Sequence, residues 1–424
     1  MPINFNNKTF AQWCELYIRI VVRDGQRLAQ IIQSCSQKNF QAYLYATSDI
    51  SSVLTAELNS DKSYLTAYAC LHEFDAKFWQ NPHPFLLNGI IEQKFANNRY
   101  ILVRNDESPI AKAVAKKNRF KMDNQLGSEG TLNLIHRWQE VQTATIIDIK
   151  PSIVFNTFIK RKAIKIGLSP FAGCDDMLWQ YDVNDMRGDG EVPFWCAGAK
   201  NEATLSQRLT DVLNIAYQQK IDILLFPELI MTETLENQIA TWLRDNNGFE
   251  PVIRLVVAGS RHVHQQEQNN SYRNCCTVFN QIGDIEWQQE KRQPFRLAAK
   301  EAKSLLNIKQ ESFEPTCLSN TMSIRHTLLG NVATPICLDF IQDEFWAKLP
   351  INLFLVPAMS PNLKRFEDAC KNAGARWQAS AFVCNAKPSD NDKSVLAYIP
   401  SKQQPNLTLE QTFLFTVEVK VDMN

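Results

Sequence analysis

The chain has 424 residues, 45% apolar and 21% charged, with Lys and Arg balancing Asp and Glu at zero formal net charge. That composition is ordinary for a globular protein of two or three domains. It excludes a global basic field for nucleic acid or an acidic membrane surface. The longest apolar runs, such as "INLFLVPAM", stop well short of the about 18 residues a membrane helix needs. Eleven cysteines are scattered without a CxxC pair, and six histidines include one tight pair, His262-x-His264. The N-terminus lacks a secretory leader pattern. These features imply a reducing, cytoplasmic setting, no disulfide framework and no membrane partner. They imply no metal either, with the two histidines on an exposed strand end or loop.

In chain order, "TFAQWCELYIRIVVRDGQRLAQIIQ" opens with a capping-box pair, Thr9 and Gln12. Phe10, Trp13, Tyr17, Ile20, Val21, Leu28 and Ile31 then recur at helical spacing. "RYILVRN" is a predicted strand. The basic cluster Ala111–Lys121 is a solvated helix face or, on the sharper reading, a phosphate-contacting patch. The pattern changes near residue 160, which predicts a mostly helical α or α+β domain over 1–155 and a second domain over 160–424. There, "AIKIGLSPF", "IDILLFPE", "VIRLVVAGS" and "INLFLVPA" are apolar strands. They alternate with amphipathic helices, "ATLSQRLTDVLNIAYQQ" carrying Leu205, Leu209, Val212, Leu213 and Ala216 on one face. "CCTVFNQIGDIEW" is a hairpin turning at Gly283-Asp284. Helices, strands and hairpins in this order predict an α/β layered domain.

Functional side chains in such domains gather at the carboxyl ends of strands. Three candidates sit there: Glu228 in "LLFPE", Lys291 after "GDIEWQQE" and Cys337 in "TPICLDF". A cysteine nucleophile needs a base to take its proton. A carboxylate secluded by four apolar residues and a proline can become that base. A nearby ammonium would stabilise an oxyanion. Taken singly, each residue has a bland reading: a helix-start acid, a surface lysine, a buried thiol.

Together, with their surroundings, these three motifs resemble the nitrilase (carbon–nitrogen hydrolase) superfamily over about residues 163–420. "KIGLSPF" is similar to the family's opening strand, "AGSRHV" and "NSYRNCCTVFN" to the approach to its lysine hairpin, and "LFLVPAMSPN" and "ARWQASAFVCNA" to the segments after its cysteine. The resemblance implies a four-layer α-β-β-α sandwich and a Glu–Lys–Cys triad of Glu228, Lys291 and Cys337. It implies an amidase-type hydrolase that uses no cofactor, acts on a small-molecule amide, and pairs into a homodimer or larger assembly. The backbone N–H of Leu338 would join Lys291 at the oxyanion.

The family's second glutamate is not at its usual spacing; Glu301 in "AAKEAK" is the nearest candidate, with Glu290 and Glu311 as alternatives. The lysine-to-cysteine interval suggests an insertion around "KSLLNIKQESFEPTCLSN", and "RQPF" and "FIQDEFW" depart from the family's usual residues. Trp287 and Trp346 read as core or site-wall aromatics, and Arg376 and Asn385 as structural. Asp339 reads as a residue that orients its loop. The alternative function is a catalytically weak regulatory or interaction module, as in bacterial defence systems where such domains are fused to others. Residues 1–150 contain neither a reverse-transcriptase YxDD nor a P-loop.

Overall fold

The computed structural model describes residues 7–34, 50–80, 90–95, 98–104, 135–141, 146–152, 154, 162–248, 250–265, 271–316, 319–342, 346, 349, 351–361, 363–386, 394–400, 405–411 and 413–421. The described residues divide into two compact units, the first ending at Val141 and the second beginning at Ile146. The basic cluster Ala111–Lys121 lies outside the described residues. No described helix is long and apolar enough to cross a membrane.

The first unit contains helices α1 (Asn7–Tyr17), α2 (Gly25–Ser34), α3 (Ile50–Thr55) and α4 (Asp61–Gln80). It also has an antiparallel sheet of β1 (Ile90–Phe95), β2 (Asn98–Arg104) and β3 (Ile135–Val141). The sequence pattern predicts one long helix through residue 33; instead a π-helical turn, Ile18–Arg23, separates α1 from α2. The helix starts at Asn7, two residues before the expected cap, and Gln12 donates to Ser51 Oγ at 2.9 Å rather than back to its own helix start. Trp13, Leu16, Ile20, Leu28 and Tyr68 pack into this unit's core, and the Trp13 indole donates to the Leu71 carbonyl at 3.1 Å.

The second unit opens with β4 (Ile146–Pro151), a strand that the sequence pattern places in the first domain. Then come β5 (Ala163–Leu168), β6 (Met177–Tyr181), β7 (Val192–Ala199), α5 (Glu202–Gln218), β8 (Ile223–Leu225) and α6 (Glu233–Asn246). β9 (Leu255–Gln265), β10 (Ser271–Asn280), β11 (Ile285–Glu290), β12 (Arg296–Leu297), α7 (Ala299–Leu306) and β13 (Ser312–Phe313) follow. The remaining elements are β14 (Thr321–Thr327), β15 (Gly330–Ala333), α8 (Leu338–Gln342), β16 (Leu353–Ala358), α9 (Lys364–Trp377), β17 (Ser380–Asn385), β18 (Val395–Tyr398), β19 (Thr408–Gln411) and β20 (Leu414–Lys420).

These strands form a seven-stranded sheet in the order β11-β10-β9-β8-β5-β20-β19 and a six-stranded sheet in the order β18-β17-β16-β15-β14-β4 among the described residues. β4 belongs here because it pairs in parallel with β14. β16 and β17 are buried along their whole length, the pattern of strands covered on both faces. β16 contacts β8 and β9, and β17 contacts β5, so the two sheets meet. The predicted stripe of α5 is buried with Leu235, Ile239 and Leu243 of α6 and with Leu224 and Val256 of the seven-stranded sheet. Asn201 caps α5 and Thr232 caps α6, each accepting a backbone N–H three residues on. A smaller sheet, β12-β13-β7-β6, has its own apolar cluster with α7, built on Val192, Phe194, Leu297 and Leu306.

Two glycines fix tight geometry. Gly283 has φ 80° in the β10–β11 turn, where the Asn280 side chain accepts from the backbones of Ile282 and Asp284. Gly259 has φ 72°, and a Cβ there would lie 1.9 Å from the Pro227 carbonyl oxygen. β9 can therefore lie against the loop after β8 only with glycine at this position. Gly259→Ala is expected to destabilise the protein by roughly 2–3 kcal/mol, from strained φ plus backbone overlap. Urea unfolding checks this; a wild-type midpoint would contradict the close approach.

Candidate active site

Glu228 sits three residues beyond β8, in a loop stitched to two strands. The Glu228 N–H donates to the Ala358 carbonyl at 3.3 Å, the Ser260 N–H to the Pro227 carbonyl at 3.3 Å, and Leu229, at φ 55°, to Ser260 Oγ at 3.2 Å. Lys291 follows β11 directly, and its N–H donates to the Asn274 carbonyl at 2.8 Å. Cys337 comes four residues after β15 ends, and its φ of 48° is in the left-handed region, which non-glycine residues rarely adopt. The cost of holding it there is about 1–3 kcal/mol. The turn is fixed by the Cys337 N–H donating to the Pro357 carbonyl at 2.9 Å and the Phe340 N–H to the Cys337 carbonyl at 3.1 Å.

The fold brings the Glu228 and Lys291 side chains together beside Cys337. Lys291 Nζ lies 2.7 Å from Glu228 Oε1, and the Cys337 thiol, close enough to feel both charges, lies 4.0 Å from the Met359 carbonyl oxygen. All three residues are 2% exposed. Asp339 has the loop-orienting place expected of it: its buried carboxylate accepts the backbone N–H groups of Arg292, at 2.9 Å, and Gln293, at 2.8 Å. It thereby ties the cysteine turn to the chain just after the lysine. Leu338 opens α8, so its N–H is among those that helix geometry leaves without a partner inside the helix.

The glutamate beside this cluster is Glu314. Its Oε2 accepts from Lys291 Nζ at 2.8 Å and from the Phe295 N–H at 3.0 Å. Glu301 is elsewhere: it is exposed on the first turn of α7, where its Oε2 accepts from the Ala298 N–H at 3.2 Å. An acid in the first turn of a short exposed helix caps that helix, which is why Glu301 does not reach Lys291. Glu290 pairs with Arg273 at 2.6 Å and Glu311 is exposed. Glu314 follows β13, which pairs in parallel with β7. The insertion inferred from the lysine-to-cysteine interval thus contains this glutamate.

His262 and Asn274 complete the cluster. His262 is buried on β9, not on an exposed strand end, because strand alternation points it to the same side as Ser260. Its Nδ1 accepts the Cys196 N–H at 2.9 Å, so the ring proton is on Nε2, which donates to Glu314 Oε1 at 2.8 Å. Asn274 Nδ2 bridges the two acids, 3.0 Å from Glu228 Oε1 and 2.7 Å from Glu314 Oε1. Among the described residues, no group of three or more His, Cys, Asp or Glu is placed to hold a metal ion.

Charge follows from these contacts. Burial would raise the Glu314 carboxyl, but the Lys291 ammonium and the His262 contact outweigh it and hold it well below the usual carboxylate range. Burial opposes the Lys291 charge, yet Glu228 and Glu314 keep the ammonium protonated to well above its ordinary pKa. Burial, then the Glu228 charge, pushes the Cys337 thiol well up despite Lys291. At neutral pH the thiol carries its proton and Glu314 is ionised.

Glu314→Gln should test this balance. It would leave Lys291 with one carboxylate and turn an NH2 toward two donors, at an expected cost of about 1–3 kcal/mol. Because the folded-state pKa is lowered, Glu314 contributes its stability above about pH 4.3, and that contribution falls away as pH drops toward the lowered value. The wild-type advantage in urea unfolding should thus be full at pH 7 and shrink in acid. A constant gap would contradict it.

A narrow cavity of about 20 Å³ opens onto Glu228, Lys291 and Glu314, walled by Trp179, Phe194, Phe295, Leu305 and Met359. Trp287, 3% exposed, and Trp346, 1% exposed, are core side chains; the Trp287 indole donates to Thr334 Oγ1 at 3.0 Å, just before the cysteine turn. Asn385 is structural, its amide exchanging two hydrogen bonds with the Ser360 backbone.

No protein-family model matches the chain, and no curated protein matches it in sequence. Solved structures do. Nit3 of Saccharomyces cerevisiae, a member of branch 10 of the nitrilase superfamily, is 12% identical over 64% of this chain and 93% of its own, with a TM-score of 0.41. An amidase from Nesterenkonia sp. is 13% identical over 62% of this chain and 93% of its own, with a TM-score of 0.41. The glutamine-dependent NAD+ synthetase of Acinetobacter baumannii is 12% identical over 62% of this chain and 48% of its own, also with a TM-score of 0.41. Likeness at this level says nothing of activity. The solved structures that this chain is similar to include members of the nitrilase superfamily.

Proposed function

We propose that the second unit is a carbon–nitrogen hydrolase that cleaves a non-peptide amide through a thioester on Cys337. The observation that carries this reading is a buried cysteine, held at φ 48°, beside a buried carboxylate that a buried ammonium contacts at 2.7 Å. The two sheets and their covering helices are read as a four-layer α-β-β-α sandwich.

Glu228 takes the thiol proton as Cys337 Sγ bonds to the carbonyl carbon, and the carbonyl π electrons move to oxygen. An ammonium has three N–H donors. Lys291 directs two at Glu228 and Glu314, and the third serves the oxyanion with the N–H of Leu338. A single oxyanion donor contributes about 10²–10³ in rate. Collapse of the intermediate breaks the C–N bond, and Glu228 passes its proton to the leaving amine. Water, deprotonated by Glu228, then opens the thioester to release the carboxylic acid and the thiol. Glu314 keeps Lys291 aligned, while His262, Asn274 and the Phe295 N–H fix Glu314.

The test is ammonia release from simple primary amides by the full-length protein. Ammonia and carboxylic acid formed in equal amounts over many turnovers are expected. No product from any amide, with the protein folded, would contradict the hydrolase reading and favour a regulatory module.

A further inference from the structure

The two buried acids of the cluster are not held alike. We infer that Asn274 is a positioning residue for the proton transfer: its amide NH2 spans Glu228 Oε1 and Glu314 Oε1, which leaves Glu228 Oε2 as the oxygen that takes and returns the proton. This rests on the hydrolase reading above.

The donors divide unequally between the acids. Among the described residues, Glu314 Oε1 accepts from His262 Nε2 at 2.8 Å and Asn274 Nδ2 at 2.7 Å, and its Oε2 accepts from Lys291 Nζ at 2.8 Å and the Phe295 N–H at 3.0 Å. With both oxygens filled in this way, that carboxylate has no open place for a proton. Glu228 accepts from Asn274 Nδ2 at 3.0 Å and Lys291 Nζ at 2.7 Å, both on Oε1. No N–H or O–H of a described residue donates to its Oε2. The open oxygen therefore belongs to the acid whose charge acts on Cys337.

The amide itself shows what it is for. Asn274 is 1% exposed, and its Oδ1 has no hydrogen-bond partner among the described residues. A buried carbonyl left this way is unfavourable. Turning the amide over would be worse, because Oδ1 would then face two carboxylate oxygens at 2.7 and 3.0 Å. The NH2 is thus the group the site uses, and it fixes both carboxylates. The backbone of the same residue places the third charge: the Asn274 carbonyl accepts the Lys291 N–H at 2.8 Å, and Asn274 pairs across the sheet with His262. Asn274 reaches the reaction only through these groups, so its loss should lower kcat and leave KM.

The charged groups that act on Glu228 are Lys291 after β11, Cys337 after β15 and Cys174 ahead of β6; Glu314 after β13 and His262 on β9 join through Lys291 and Asn274. Asn274→Asp keeps the shape, removes both N–H donors and sets a third carboxylate against Glu228 and Glu314. A proton then stays on the acids to higher pH, so the acid limb of the rate moves up.

The experiment measures kcat and KM for acetamide against pH in the full-length wild type, Asn274→Asp and Asn274→Ala, with the acetyl group on Cys337 followed by mass spectrometry. Both variants should lose about 10-fold or more in kcat, with KM within about 3-fold of wild type. The acid limb of kcat/KM should rise by about 1 pH unit in Asn274→Asp and by less in Asn274→Ala. Alanine adds no charge and gives the reading if aspartate prevents folding. The pH dependence of Cys337 alkylation by iodoacetamide should shift the same way without turnover. A folded variant with wild-type kcat and acid limb, or with KM raised and kcat unchanged, overturns this inference; an acetyl group still found on Cys337 leaves the hydrolase standing. No ammonia and no Cys337 adduct from the wild type overturns both.

Discussion

Cys337→Ala is expected to abolish the proposed amide turnover, lowering it about 10⁴-fold or more, as removal of a covalent nucleophile does. No other cysteine is expected to substitute, because among the described residues Cys337 is the one on which both the Glu228 and the Lys291 charges act. Cys174 is near enough to feel the Glu228 charge, but the Lys291 ammonium does not act on it. The variant keeps its fold, since the turn at residue 337 is held by backbone bonds to Pro357 and Phe340 that alanine retains. Loss of the small buried sulfur should cost about 1 kcal/mol. Ammonia release and thermal unfolding measured on the same preparation check both halves. Wild-type turnover would move the nucleophile elsewhere; loss of the fold would make the inactivity uninformative, and Cys337→Ser, closer in shape, would replace it.

Lys291→Met is expected to lose both the proposed activity and stability. The side chain is 2% exposed and pairs two carboxylates at 2.7 and 2.8 Å. Methionine matches its volume and leaves Glu228 and Glu314 facing each other without a counter-ion. Removing one partner from a buried ion cluster costs about 3–5 kcal/mol. Raising pH tests the same contact in the wild type. The folded-state pKa of Lys291 is raised, so its contribution is complete below about pH 10.4 and is lost only as pH climbs through the higher folded value. Turnover should fall about 10²–10³-fold or more from the lost oxyanion donor alone. Urea unfolding at pH 7 and amide kinetics give the two numbers. A variant as stable as wild type would mean that the two acids share a proton or have other partners.

Much of the site was legible in the primary structure because each of Glu228, Lys291 and Cys337 closes an apolar or hairpin segment, and strand ends in an α/β domain converge. Glu314 was not legible. "SFEP" acquires meaning only when β13 pairs with β7, more than a hundred residues earlier in the chain, and nothing local marks that pairing. The signal it did carry was an acid set between a buried phenylalanine and a proline, the same setting as Glu228 in "LLFPE". His262 could have been found by counting alternation from Ser260, since both point inward. The break in the first helix was hidden because Ile18–Arg23 continues the apolar pattern while its backbone widens to a π turn. The place of β4 in the six-stranded sheet was not legible, because its parallel partner β14 is about 170 residues away, beyond the range of any local pattern.

The covalent step is the point on which everything else depends, and acid-quenched mass spectrometry measures it directly. Full-length protein is mixed with acetamide, quenched during turnover, digested and mapped. The prediction is one acetyl group on the peptide containing Cys337, gone when substrate is exhausted and absent in Cys337→Ala. Turnover with no acyl group on that peptide, or with the acyl group on another residue, would contradict it.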